Sequence, residues 1–420
     1  MASRQRGRSP AAPLYHHHVR VVYYTHPAFL EPALSLVREL ADQVELHLLL
    51  EVAPSAWRSA AFDLAPLRLA PGLVPADPVL APAFPAEARA YWRHAATFNL
   101  VVHGSRGSFR PGSLAVGRDV LRYIRRVGPD IVHVDDTDVS PRLALVAPGL
   151  GRPPLVLNIH DPVPHPGEHG WRKDLARRLL YPRASRFVVF ADRFRKPFAN
   201  RVGIPLERVR AIRLAPYDIL RAWAQVPEAQ EDRLILLVGR LAPYKGLDIL
   251  AAAARLAAER VPGLRVVAAG RPVRGYRPPP AASLSRGGRI EFRDGYLSNE
   301  ELVRLIRRAS VVVCPYLDAT QSGVVLTAFG LGRTVIATTA GGLSEYVLPG
   351  VNGALVAPGD VAGLSNAIVA LLLDPAERRR LEAGVRERPG QANWAGAARQ
   401  LLDVYAQLAP SSALRGSDRA

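Results

Sequence analysis

Short apolar runs of strand length alternate with segments of helical periodicity along most of this chain. The first run, residues 19–24, is rich in β-branched and aromatic residues, and in residues 29–40 the apolar side chains recur every three or four positions. A strand followed by a helix, repeated in this order, is typical of a parallel sheet covered by helices on both faces. We therefore predict an α/β fold built from doubly wound sheets.

The same order continues along the chain. We predict further strands at residues 44–50, 130–134, 154–159, 186–190, 234–238, 264–269, 311–315 and 334–338. We predict further helices at residues 117–127, 171–181, 246–259, 299–308, 323–330, 360–373, 375–383 and 394–406. The region between residues 53 and 117 is rich in Pro, Ala and Gly and shows no clear periodicity, so no element is predicted there.

The 420 residues are enough for two such domains. A polar, charged stretch at residues 225–233 is typical of a linker. We predict a disordered basic tail at 1–18, a first domain at 19–215, a second domain at 216–393, and a final helix with its tail at 394–420. Ligands of open α/β sheets bind beyond the carboxyl ends of the strands, so we expect the site in the cleft between the two sheets.

The composition excludes several classes of protein. Apolar residues make up 49% of the chain and charged residues 22%, which is typical of a folded protein and excludes global disorder. No run approaches the roughly 18 apolar residues that span a bilayer, and the single cysteine, Cys314, excludes a disulfide within the chain. No hydrophobic segment follows the basic start at residues 1–8, so we expect a cytoplasmic protein, soluble or peripheral on the inner membrane face.

The net charge of +18 is unevenly distributed. Between residues 171 and 213 there are 13 basic and three acidic residues, and such a segment attracts anionic surfaces or substrates. The basic amphipathic pattern of residues 171–181 suits docking to an anionic membrane. The alternative is a helix whose apolar side packs on its own sheet while its arginines are solvated. We expect no nucleic acid as a partner, because no recognition motif accompanies the charge.

The strongest candidate for a ligand site follows the strand predicted at residues 234–238. Arg240 and Lys245 lie on the loop between this strand and the next helix, close to the helix N-terminus. Arginine offers a planar fork for phosphate oxygens and lysine a point charge, a combination that suits a diphosphate. Two solvated surface cations are the alternative interpretation.

A second candidate is the turn of small polar residues between the strand at 311–315 and the helix at 323–330. Backbone N–H groups at the start of a helix form an anion site, and the hydroxyl groups of Thr320 and Ser322 add donors. An ordinary N-cap by Ser322 is the alternative, and both interpretations can hold together. Two anion-binding turns at one sheet edge favour a diphosphate more than either turn does alone.

His160 directly follows the strand predicted at residues 154–159 and is placed to face the cleft from the first domain. A purely structural role is an equally open alternative for a lone histidine. His26 and His133 are weaker candidates. The histidines lack zinc-ligand spacing and one cysteine cannot supply a thiolate cluster, so no metal site is predicted.

These residues together resemble a known family. Gly239-Arg240 with Lys245-Gly246 is similar to the G-R-x4-K-G donor loop of the retaining glycosyltransferases of family four. Further motifs follow in the family's order, with residues 292–297 similar to F-x-G-x-v, 332–338 to G-x-P-V-I-A-t, 341–345 to G-G-x-x-E and 352–360 to N-G-x-L-v-x-P-x-D. The resemblance is dense from about residue 234 to residue 373 and thinner upstream.

The resemblance implies a GT-B fold, in which two Rossmann-like domains face a central cleft and the last helix crosses back to the first domain. It implies transfer of a sugar from a nucleotide-diphosphate sugar to a hydroxyl acceptor, which would be a glycan, a lipid-linked intermediate or a small molecule, with retention of configuration. In that fold no metal or other cofactor is needed, since cations and helix dipoles neutralise the diphosphate.

The resemblance also assigns roles to residues. His160, Arg240 and Lys245 would be catalytic, the two cations on the donor diphosphate and His160 near the reacting carbon. Tyr296 and Leu297 would lie near the nucleotide base. The other donor-binding residues would be Asp318, Thr320, Gln321, Ser322, Gly323, Val324 and Thr327, and the acceptor-side residues would be His26, His133 and Asp161.

Two glutamates of the family are missing here. They stand eight positions apart, and counting back from Gly332 places them at Ala319 and Thr327. The first normally contacts the donor sugar, a role left to Asp318 or Gln321, and the second normally contacts the ribose, where Thr327 offers a weaker hydrogen bond. The A-T-Q-S-G-V turn resembles that of a subgroup of the family.

Two alternatives stay open at this point. The missing carboxylates fit an inactive relative that binds a nucleotide sugar or a partner enzyme, although His160, Arg240 and Lys245 favour turnover. A sugar-nucleotide epimerase of similar fold would convert the donor without an acceptor, and the motifs disfavour it.

Overall fold

The computed structural model of the chain describes residues 19–54, 69–105, 107–135, 142–163, 171–387 and 392–409. The tail predicted at residues 1–18 and the end of the segment predicted at 394–420, from residue 410 onward, lie outside the described residues. The described chain forms two sheets, each flanked by helices.

The first sheet has eight strands among the described residues, in the order β3-β4-β2-β1-β5-β6-β7-β8. They are β1 (Arg20–Thr25), β2 (Glu45–Val52), β3 (Gly72–Pro75), β4 (Thr97–Val102), β5 (Ile131–Asp135), β6 (Leu155–Ile159), β7 (Ala184–Val189) and β8 (Val209–Ala211). Every neighbouring pair is parallel except β3 with β4. The central strands β5 and β6 are buried along their whole length, as helices on both faces require.

The second sheet has seven described strands in the order β11-β12-β10-β9-β13-β14-β15. They are β9 (Leu234–Val238), β10 (Arg265–Gly270), β11 (Ala282–Ser283), β12 (Arg289–Asp294), β13 (Val311–Cys314), β14 (Val335–Thr338) and β15 (Gly353–Val356). Only β11 with β12 is antiparallel within the described sheet. The predicted doubly wound α/β class is therefore confirmed for both sheets.

Thirteen α-helices flank the sheets in the described part of the chain. They are α1 (Leu30–Leu40), α2 (Ala76–Leu80), α3 (Ala86–Arg89), α4 (Pro111–Val127), α5 (Arg142–Val146), α6 (Trp171–Leu180), α7 (Arg195–Val202), α8 (Leu247–Ala258), α9 (Asn299–Arg308), α10 (Gly323–Gly330), α11 (Val361–Leu373), α12 (Pro375–Glu387) and α13 (Trp394–Leu408).

The predicted ends of most elements agree with the structure to within one or two residues. Helices α9 and α10 have their predicted bounds, and a capping box formed by Ser298 and Glu301 fixes the start of α9. Helix α4 begins at Pro111 instead of residue 117, because proline is tolerated in the first turn of a helix. The region between residues 53 and 117, where no element is predicted, contains α2, α3, β3 and β4.

The last helix lies against the first sheet. Helix α13 packs on α1, and the hydroxyl group of Tyr405 lies 2.6 Å from Nδ1 of His133 on β5. At the start of α13, the indole N–H of Trp394 donates to the carbonyl of Pro216 at 2.9 Å. These contacts hold α13 across the junction between the two sheets.

A second connection between the sheets comes from the segment Gly341–Glu345, which follows β14. The Glu345 carboxylate accepts hydrogen bonds from the backbone N–H groups of Asp192 and Arg193 at 3.0 and 3.1 Å. It also forms an ion pair with Arg213 at 3.3 Å. A single carboxylate of the second sheet therefore binds the loop that follows β7 in the first sheet.

Gly246 permits a close approach between the loop after β9 and the end of β13. Its φ is +68°, and a Cβ at this position would fall on the carbonyl oxygen of Pro315. Gly203, at the end of α7, has a φ of +72° and no atom within 4 Å of its Cβ position. The two glycines share a backbone conformation and differ in the space around them.

We expect Gly246→Ala to lower the unfolding temperature much more than Gly203→Ala. The left-handed conformation costs an alanine roughly 1–2 kcal/mol at both positions. At position 246 the displaced strand end adds roughly 1–3 kcal/mol. Differential scanning calorimetry of the two variants beside the native chain measures the difference, and equal shifts would contradict the close packing at Gly246.

Candidate functional site

A cavity of about 130 Å³ lies between the carboxyl ends of the two sheets. It is lined by Phe29, His160, Asp161, Arg240, Tyr244, Lys245, Tyr316, Ala319, Thr320, Gln321 and Gly323. All of these residues lie on the loops that follow β1, β6, β9 and β13 or at the start of the next helix. Seven of them are predicted site residues, and the rule that places ligands beyond strand ends brings all three catalytic candidates together.

The other predicted residues do not line this cavity. They are His26, His133, Tyr296, Leu297, Asp318, Ser322, Val324 and Thr327. Ser322 is buried and caps α10, its Oγ accepting from the N–H of Val325 at 3.3 Å. His133 is a residue of β5 and is fully buried beneath Tyr405, which is a core position. His26 is buried behind Phe29, and Tyr296 and Leu297 follow β12 at the same edge of the second sheet.

The two cations at the cavity lie among aromatic rings. The Lys245 ammonium is 3.8 Å from the centre of the Tyr316 ring, and Arg240 donates to the hydroxyl group of Tyr244 at 3.3 Å. Burial lowers the pKa of Lys245 to about 8, and the nearby charge of Arg240 acts in the same direction. The charge of the Asp161 carboxylate acts in the opposite direction but does not outweigh the effect of burial. The cavity is therefore suited to an anion that would pair with both cations.

His160 is held by a buried carboxylate that sequence reasoning missed. Asp135, the last residue of β5, accepts from Nε2 of His160 at 3.0 Å and from the Asn158 amide at 2.8 Å. Its other oxygen accepts from the hydroxyl groups of Thr25 at 2.5 Å and Tyr23 at 3.1 Å. Burial opposes ionisation of Asp135, but the hydrogen bond and charge of His160 outweigh it and lower the pKa of the carboxyl. A carboxylate at the end of an apolar strand is the signal that could have identified it.

Phe29 covers the other face of His160. Their rings stack with centroids 3.5 Å apart and planes 3° from parallel. Phe29 follows β1, and no local pattern in the sequence predicts a role for its ring. The imidazole is thereby fixed in its plane by Phe29 and in its rotation by Asp135.

Two hydrogen bonds cross the cleft, and they join two consecutive residues of the first domain to two consecutive residues of the second. The Thr320 hydroxyl donates to the Asp161 carboxylate at 2.6 Å, and Nε2 of Gln321 lies 3.3 Å from Nδ1 of His160. Residues 160 and 161 follow β6 of the first sheet, while 320 and 321 precede α10 of the second. The turn before α10 is therefore joined to the first sheet at the cavity itself.

Helix α6, at the start of the basic segment, packs its apolar side on the first sheet. Ala176 and Leu180 are fully buried, as the packing of the apolar side in the alternative interpretation requires. Arg177, in contrast, is only 15% exposed, so not every arginine of the helix is solvated. Trp171 is 64% exposed and its ring stacks on that of Phe109, with centroids 5.8 Å apart. None of the described helices has the length and apolar character to cross a membrane. Contact of residues 171–213 with an anionic membrane stays a prediction.

Two family models match this chain. Residues 232–374 match the model described as glycosyl transferases group 1, and residues 79–214 match the model described as glycosyltransferase family 4. Both sheets contribute to the matched regions, so the similarity extends beyond the second sheet.

Two curated relatives are informative. Glycogen synthase of Mycobacterium tuberculosis is 30% identical over 316 residues, which are 70% of this chain and 74% of that protein. D-inositol 3-phosphate glycosyltransferase of Frankia alni is 32% identical over 213 residues, which are 48% of this chain. The chain spans about half the length of the Frankia relative, 51% of it.

The fold is that of a solved structure, Anabaena HepE in complex with UDP and glucose. The two chains superpose with a TM-score of 0.62 at 18% identity, covering 92% of this chain and all of the other. The predicted GT-B architecture, with two α/β units facing a cleft, is confirmed.

Lys245 can be titrated directly, because the chain has only two other lysines, Lys173 and Lys196. After reductive methylation with a ¹³C label, we expect a resonance with a midpoint of about 8 that is missing from Lys245→Arg. Inorganic pyrophosphate should raise the midpoint, since a nearby anion stabilises the charged ammonium. Affinity for pyrophosphate should correspondingly fall as the pH rises through the midpoint of the free protein. A midpoint unchanged by saturating pyrophosphate would contradict an anion site at Lys245.

Proposed function

Because the chain belongs to the family of group 1 and family 4 glycosyltransferases, we propose that it transfers a sugar from a nucleoside-diphosphate sugar to a hydroxyl group of an acceptor. One observation carries the proposal: Arg240, Lys245 and the residues that precede α10 converge on a single cavity between facing strand ends. A cavity with two cations and a helix N-terminus suits the diphosphate of such a donor.

The two cations stabilise the leaving group in this proposal. The bond between the anomeric carbon and the diphosphate oxygen breaks, and negative charge develops on that oxygen. Arg240 binds the phosphate oxygens with its planar fork, and Lys245 neutralises the developing charge. Backbone N–H groups at Gly323 and Val324 add donors, so that the diphosphate leaves without a bound metal.

The acceptor hydroxyl forms the new bond to the anomeric carbon on the face from which the diphosphate leaves, with its proton passing to the departing diphosphate oxygen. This gives retention of configuration. His160 lies beside the donor sugar, and Tyr296 and Leu297 lie beside the base. Among the acceptor-side candidates, Asp161 is the one that lines the cavity.

The acceptor would approach from the first domain, residues 19–215, and the donor would be held mainly by the second, residues 216–393. The names of two relatives, a D-inositol 3-phosphate glycosyltransferase and a glycogen synthase, make a phosphorylated polyol and a glucan the first acceptors to test. A lipid-linked acceptor would also bring the basic segment 171–213 to an anionic membrane.

A second function, binding of a nucleotide sugar without turnover, is favoured by one observation. Ala319 and Thr327 occupy the positions where the family has its two glutamates, and neither side chain carries a charge. Gln321 and Asp161 supply polar groups in the same cavity, which is why we place turnover first.

A donor screen separates the two functions. We would measure release of nucleoside diphosphate from a panel of UDP-, GDP-, ADP- and TDP-sugars, with and without the two acceptors. Arg240→Ala and Lys245→Ala should each lower the rate by roughly 100-fold or more, because each removes a cation from developing charge. Arg255→Ala, an exposed arginine on α8, is the matched control and should retain the native rate.

The outcomes of the screen are distinct. Release from one donor that both site variants abolish would support transfer and identify the donor. Tight binding without release, with and without acceptor, would favour the binding function. Native rates in both site variants would refute the assignment of Arg240 and Lys245.

A further inference from the structure

The nitrogen and the oxygen of the Gln321 side-chain amide have different surroundings. Its Nε2 lies 3.3 Å from Nδ1 of His160, across the cleft. Its Oε1 is buried and has no hydrogen-bond partner among the described residues. A buried acceptor without a partner is destabilising, so a group that donates to it would recover that cost.

The orientation of this amide follows from the partners of His160. Asp135 is ionised and can only accept, so the Nε2 atom of His160, 3.0 Å away, must carry the proton. A singly protonated imidazole with its proton on Nε2 presents Nδ1 as an acceptor. Gln321 therefore turns its N–H toward His160, and its carbonyl oxygen points away from the ring.

The oxygen belongs to a side chain that lines the cavity between the sheets. Ala319, two residues earlier, is where the family has a carboxylate, and its methyl group offers no acceptor. The Asp318 side chain does not line the cavity. Gln321 is thus the residue of this turn that can present an acceptor oxygen with a fixed direction.

We propose that Asp135, His160 and Gln321 form a relay across the cleft that fixes the direction of the Gln321 amide, so that its carbonyl oxygen accepts a hydrogen bond from a hydroxyl group of the donor sugar. The proposal rests on the proposed function for the identity of the ligand, but the relay itself exists without a ligand. Asp135 is a positioning residue, and Gln321 is the residue that selects for a hydroxyl donor.

The relay is tested first without any ligand. In protein labelled with ¹⁵N-histidine, two-bond ¹⁵N–¹H spectra report which ring nitrogen carries the proton, and His160→Ala assigns the signal. We expect the Nε2–H form in the native chain and a loss of this preference in Asp135→Asn. Gln321→Glu removes the N–H that faces Nδ1 and places a second carboxylate against the ring, so the ¹⁵N signal of Nδ1 should move toward that of a protonated nitrogen.

Glu45→Gln is the matched control. Glu45 accepts from His47 on the same sheet, at 3.1 Å, and is remote from the cavity. This variant should change the signals of His47 and leave those of His160 unchanged. An Nδ1–H form in the native chain, or an Nδ1 signal of His160 that Gln321→Glu leaves unchanged, would overturn the relay.

The sugar contact is tested by calorimetric binding of UDP-glucose against UDP and of GDP-mannose against GDP. Gln321→Ala should keep the affinity for the nucleoside diphosphate within about twofold and reduce the additional affinity due to the sugar by about tenfold. An unchanged sugar contribution, or no sugar contribution in the native chain, would overturn the sugar contact while the proposed function stands. Failure of the native chain to bind any nucleoside diphosphate would instead refute the proposed function.

Discussion

The carboxyl ends of the two sheets face each other in this molecule. Two hydrogen bonds, from consecutive residues of one loop to consecutive residues of the other, fix their relative position. Thr320 donates to Asp161 and Gln321 lies against His160, so that one short loop of each sheet meets its counterpart twice. The same loops provide the polar groups of the cavity. The positioning of the sheets and the chemistry of the site thus depend on the same contacts.

The turn before α10 is also supported from behind. A Cβ on Gly341 would fall on the carbonyl oxygen of Ala319, and the N–H of Gly342 donates to the carbonyl of Thr320 at 3.1 Å. Four residues later, Glu345 binds the backbone of the loop after β7. The G-G-x-x-E motif therefore acts as a support, because its glycines allow the close approach and its glutamate connects the support to the first sheet.

The fold could be predicted where the signals are local. Ser298 and Ser322 cap α9 and α10, and both helices have their predicted bounds. Pro111 with Gly112 is typical of a loop, yet proline suits the first turn of a helix, so the start of α4 was not apparent. In the region between residues 53 and 117 the short elements α2 and α3 are too brief for a helical period to show.

The site residues also differ in whether a local sequence signal reveals them. Arg240, Lys245 and His160 are polar residues directly after apolar strands, so the sequence alone places them at one edge. Asp135 carries a local signal, a carboxylate at the end of an apolar strand, and lies 25 residues from His160. Phe29 stacks on His160 from more than 100 residues away, which no local pattern reveals. His133 lies within β5 instead of after a strand, and Tyr405 of helix α13 covers it, so it is a core histidine and not one in the cleft.

An amide instead of a carboxylate at position 321 is consistent with the electrostatics of the cavity. Arg240 and Lys245 lie close together, and the burial of Lys245 lowers its pKa to about 8, so their positive charge is costly until an anion binds. A glutamate at position 321 would offset part of that charge and would add a second negative charge beside Asp161. A glutamine keeps an acceptor oxygen for a sugar hydroxyl and adds an N–H for His160 without changing the net charge. The amide therefore offers hydrogen bonds at the cavity while leaving the field of the two cations to an anion.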